Sequence, residues 1–125
     1  MMGPRLLLVA GAVAGFVAVA AGAFGAHGLE GRVPSELLST FETGVRYHAW
    51  HALALVALAP VAARWPDPLW GVAGALFLAG IVVFSGSLYV LTLTGARWWG
   101  AVTPLGGVSF LAGWVCLAVG GWRAL

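Results

Sequence analysis

The stretch FETGVRYHAWHALAL, Phe41 to Leu55, gathers most of the side chains in this chain that could do chemistry. Glu42 and Arg46 stand at i, i+4, the order that favours an ion pair on one helix face. Thr43, Tyr47 and His51 form a second stripe beside them, and His48 lies about 60° from His51 on a helical wheel. An imidazole titrates near neutral pH, moves protons and binds metals. Three readings follow: a proton or solute path, a metal site, or a structural network.

The metal reading needs at least three ligands. His48 would have to recruit His51 at i+3, His27 from the first loop and a carboxylate such as Glu42. No strong ligand spacing is present, and His48 and His51 diverge on the wheel. Nothing marks a haem attachment either. A path would use His51 and Tyr47 with a second polar stripe, Ser85, Ser87 and Tyr89 in FSGSLY. Against it, the apolar stretches elsewhere in the chain carry no acid or base in their middles, where transporters commonly place one. Ser85 and Ser87 lack the strained turn that exposes a hydrolase nucleophile. Helix hydroxyls bonded to the preceding turn are the simpler account. No enzymatic activity is expected. The leading expectation is a structural network, with Glu42 paired to Arg46 and with His51 and His27 bonding loop carbonyls.

These residues need elements to hold them, and composition says what kind. The chain has 125 residues, 62% hydrophobic and 8% charged, with mean hydropathy +0.99. Soluble domains carry about 25% charged residues, so lipid is the solvent for most of this chain. Its six arginines are spread singly from Arg5 to Arg123 for a net charge of +2. Nucleic-acid binding needs a clustered basic stripe and is excluded. Cys116 is the lone cysteine, which excludes a disulfide framework within the chain.

A bilayer core about 30 Å thick takes about 20 apolar residues per helix. Four segments qualify: 6–26, 45–63, 69–93 and 104–122. The expected fold is all-α, a polytopic transmembrane four-helix bundle in one domain covering 1–125. A short interfacial helix over 35–44 is expected between spans one and two, with Gly44 as a bend. RWPDP, Arg64 to Pro68, reads as a tight turn with a capping Asp67. Thr103-Pro104 supplies a cap hydroxyl and then a proline at the first helical position. Trp98 and Trp99 suit headgroup depth. Arg5 before an apolar run resembles a signal peptide, but the run is long for one, so a retained span is expected.

Orientation is nearly balanced. Arg5, Arg64 and Arg123 share one side, and Arg32, Arg46 and Arg97 the other. The N-terminal amine, with Arg46 at the boundary, tips the expectation to both termini cytoplasmic. Small residues at helical spacing, among them Gly11-xxx-Gly15, Gly71-xxx-Ala75 and Ser109-xxx-Gly113, point to close helix packing and to a possible homo-oligomer. The expected partners are membrane lipids and other copies of the chain, and no cofactor is expected.

Four motifs in order carry a resemblance: GAFGAHGL, FETGVRYHAWHALAL, FSGSLYVLTLTG and TPLGGVSFLAGW. They resemble domain-of-unknown-function family 423, small four-span integral membrane proteins. The resemblance implies a multi-pass protein of the bacterial inner membrane. It brings no activity, substrate or catalytic residue. In the family pattern His27, Tyr47 and His51 hold fixed positions, whereas the His48 position varies.

Overall fold

A computed structural model describes residues 2–125. Helix α1, Pro4–Phe24, starts on a proline that needs no N–H partner and runs on into a wider π turn, Gly25–Leu29. Helix α2, Ser35–Arg64, is the longest element. Helix α3, Pro68–Gly80, continues through a second π turn, Ile81–Ser85, into α4, Gly86–Thr94. Gly95 ends α4 in the left-handed conformation that glycine adopts most readily, at φ 72°. A 3₁₀ turn, Arg97–Ala101, leads to α5, Thr103–Ala124. No strand occurs among the described residues.

Three of these helical segments are long and apolar enough to cross a membrane: Pro4–Leu29, Pro68–Thr94 and Arg97–Ala124. Helix α2 has the length, at 30 residues. Its first 17 residues, however, carry Glu36, Glu42, Arg46, His48 and His51, which lower its hydropathy. Residues 35–44, expected as an interfacial helix leading into the second span, are the first ten residues of α2, which runs unbroken through Gly44. That glycine is a contact rather than a bend: a Cβ there would lie 2.9 Å from the Tyr89 ring.

The helices associate as two close pairs. In the first, α1 lies along α2. Gly11 lets α2 approach until an added Cβ would stand 2.8 Å from the Val56 nitrogen, and Gly25 sits 3.0 Å from the Phe41 ring in the same sense. In the second, α5 lies along α3, where a Cβ on Gly113 would reach 2.6 Å from Phe77. Lipid gives no hydrophobic drive for helices to meet, so this interlocking of small and large residues holds them together. Leu7, Leu55, Ala73 and Phe77 are fully buried where the pairs join.

The RWPDP turn forms as the sequence implies. Asp67 caps α3 by accepting the Leu69 N–H at 2.8 Å, and Arg123 from the end of α5 grips the same carboxylate. The second loop and the C-terminal turn therefore share one end of the bundle. The Leu69 N–H, then the Arg123 guanidinium, hold the Asp67 carboxyl below its usual range. Because the folded value is the lower one, the contribution is fully present above the unfolded carboxylate range. It is lost as pH falls through the folded value. Asp67→Asn should therefore lose less thermal stability than the parent between pH 6 and pH 3, read by unfolding in detergent at both pH values. The expected Thr103 cap is not made. Helix α5 begins at Thr103 itself, and its hydroxyl bonds Ser87 across the bundle.

Candidate functional site

The sequence places His48 and His51 one turn apart on α2, and both are buried. Their divergence on the wheel sends them to different neighbours. His51 points toward α5. Its ring stacks on Phe110 at 3.6 Å between centroids and 11° between planes, with Phe77 at its edge. Its Nδ1 lies 2.6 Å from the Tyr47 carbonyl oxygen, and Trp114 Nε1–H donates to its Nε2 at 3.0 Å. A carbonyl only accepts and an indole N–H only donates. These two partners fix the tautomer: Nδ1 carries the hydrogen, Nε2 receives one, and no ring nitrogen is left over.

His48 points toward α4 and α1. Its Nδ1 lies 2.8 Å from the Tyr89 hydroxyl, and the Ala14 main chain borders the same ring. His48 is thus as buried here as His51. The azimuth that argues against a shared metal is what lets each histidine address a separate helix.

The second polar stripe divides in the same way. The Ser85 hydroxyl donates to the Gly44 carbonyl at 2.7 Å. Ser87 bonds the Thr103 hydroxyl at 2.6 Å, and Tyr89 bonds His48. Ser85 and Tyr89, four apart, share a face, whereas Ser87 points some 200° away from Ser85, so the three do not line one track. Thr92 donates to the Leu37 carbonyl and Ser109 to the Leu76 carbonyl, adding α2–α4 and α3–α5 links. Among the described residues every buried side-chain nitrogen and oxygen has a partner. These bonds tie neighbouring helices to one another.

The remaining expected members stay apart. Glu42 and Arg46 are both exposed and form no ion pair; among the described residues the one ion pair is Asp67–Arg123. Exposed side chains at i, i+4 gain only a few tenths of a kcal/mol from pairing, less than their freedom is worth. His27 is exposed at the π end of α1 and does not bond a loop carbonyl, nor does His51, whose acceptor is within its own helix. From the α1–α2 register, His51 lies level with about Gly15, roughly 18 Å along the axis from His27. No three His, Cys, Asp or Glu side chains converge among the described residues.

Sequence reasoning missed Trp114 and Phe110. The available signal was a tryptophan well inside an apolar helix rather than at its end, since a buried indole N–H needs an acceptor. Both π turns were missed too. They lie in the half of the bundle that also holds His48, Tyr89, Ser85 and Ser87.

The family described as "Protein of unknown function (DUF423)" matches residues 21–107. A UPF0382 membrane protein of Bacillus subtilis is 47% identical over 120 residues, covering 92% of this chain and 94% of its own. A UPF0382 inner membrane protein of Escherichia coli K12 is 46% identical over 123 residues, covering 98% and 93%. A UPF0382 membrane protein of Staphylococcus haemolyticus is 41% identical over 116 residues, covering 92% and 93%. No solved structure matches the chain.

Proposed function

The chain belongs to the DUF423 family of proteins of unknown function, and from that premise we propose a four-span inner-membrane bundle with a structural or interaction role. One observation carries the reading: His51, the residue best suited to chemistry, spends both ring nitrogens on fixed partners. A catalytic imidazole bonds a group that can give it a proton, as in a Ser–His pair, whereas here the basic Nε2 is occupied by an indole N–H, which keeps its hydrogen.

The four-span count rests on register. Residues 41 to 56 of α2 run beside residues 25 to 11 of α1, so α2 shares the depth of a helix apolar enough to cross. The Asp67–Arg123 pair ties loop two to the C-terminal turn, as an even number of crossings between them requires. The inner-membrane names of relatives support the location. Both termini are proposed to face the cytoplasm, with Arg5, Arg64 and Arg123 on that side.

The partner proposed is a second copy, through the outer face of α1. Gly15 has nothing within 4 Å of an added Cβ, beside Val19 at 74% and Phe16 at 76% exposure. Inside the bundle Gly11 already does the packing, so Gly15 is left for a neighbour. Gly15→Cys in a Cys116→Ala background should crosslink to itself in native membranes under mild oxidation. Crosslinking that found neither a self-contact nor a partner would refute the interaction role.

A further inference from the structure

A groove of about 690 Å³ opens on the lipid-facing side between α2 and α5. Trp50 and Leu53 form one wall, Leu111 and Trp114 the other, and Phe84 and Phe110 the floor. We propose that it holds one acyl chain of an anionic phospholipid from the leaflet on the loop-one side, with the phosphate met by Arg46. This rests on the four-span reading.

Four observations point to that occupant. The volume falls within the ~300–1,000 Å³ of small-molecule sites. From Pro104 at its mouth to Trp114 the groove runs ten residues of α5, about 15 Å, the depth of half a ~30 Å hydrocarbon core. Its lining is aromatic and aliphatic apart from Tyr47 and His51, a surface that suits an acyl chain. The mouth also carries polar groups that the bundle leaves unused. Tyr47 lines the groove, and its hydroxyl has no protein partner among the described residues, whereas every buried polar atom has one. It can donate to a lipid ester oxygen. Arg46 stands one turn above Trp50 on the same face, exposed and outside any ion pair among the described residues. An arginine there reaches the headgroup level along its own stem and suits phosphate.

The experiment is native mass spectrometry of the full chain released from nanodiscs of mixed phosphatidylglycerol and phosphatidylcholine. The parent should retain one phosphatidylglycerol per chain. Leu111→Trp, at a position 68% exposed, should fill the groove and cut retention at least tenfold with unchanged helicity. Arg46→Ala should keep a lipid but lose the preference for phosphatidylglycerol. Should Leu111→Trp fail to fold, Tyr47→Phe takes its place, with a severalfold faster loss of lipid expected. Equal retention by parent and variants would overturn the proposal, as would a protein dimer that Leu111→Trp disrupts. Maleimide labelling of Glu42→Cys and Trp98→Cys in intact cells tests the four-span reading separately. Both should label from one side whatever the lipid result.

Discussion

Gly106→Val should keep the chain from assembling its bundle. An added Cβ at Gly106 would overlap the Phe84 main-chain nitrogen and stand 2.7 Å from the Phe84 Cα. A flexible side chain can turn aside, but backbone cannot, so α5 would have to move away from the second π turn. The bonds Ser87–Thr103 and Ser109–Leu76 lie on either side of that contact and would be pulled apart with it. Overpacking a close-packed interior costs about 1–3 kcal/mol, and a clash with main chain belongs at the upper end or beyond. Gly107→Val is the control, because its nearest neighbour is the Phe84 ring edge at 3.9 Å. Thermal unfolding in detergent should show Gly106→Val aggregated or melting far below the parent. The control should stay within a few degrees.

The second large effect is expected of His51→Ala. The substitution removes a ring packed between Phe110 and Phe77 and leaves the Trp114 N–H without its acceptor. Cavity formation at a buried aromatic-sized site, together with the orphaned donor, should cost about 2–4 kcal/mol. Trp114→Phe keeps most of the bulk and loses only the bond, about 0.6 and at most ~1.7 kcal/mol for a polar pair in lipid. In the double variant the bond term is lost once rather than twice, so the two costs should not add. A His51→Ala protein as stable as the parent, but changed in some transported or bound species, would mean that the ring serves chemistry instead.

The local punctuation of this fold was legible in the sequence. The RWPDP prolines turn the chain and Asp67 caps the helix that follows, for reasons contained within a few residues. The wheel also separated His48 from His51 correctly. What it could not supply was the neighbour at each azimuth. That depends on which helix packs there, and so on residues such as Trp114 and Tyr89 that lie 63 and 41 positions away. Leaving His48 out of the expected network followed from that gap. The Glu42–Arg46 pair failed for the opposite reason: spacing permits an exposed pair but contributes too little to enforce it. The π turn over Ile81–Ser85 shifts the face presented by everything after it in the span, and no periodicity read at 100° per residue anticipates such a shift.

If the buried histidines are fasteners between helices, nitrogen-15 spectroscopy of the His51 imidazole should show it. In nanodiscs at neutral pH, assigned by comparison with His51→Ala, the ring should carry a hydrogen on Nδ1 and a bare, hydrogen-bonded Nε2 whose resonance moves when Trp114 is replaced by phenylalanine. A hydrogen on Nε2, or a resonance indifferent to Trp114→Phe, would contradict it.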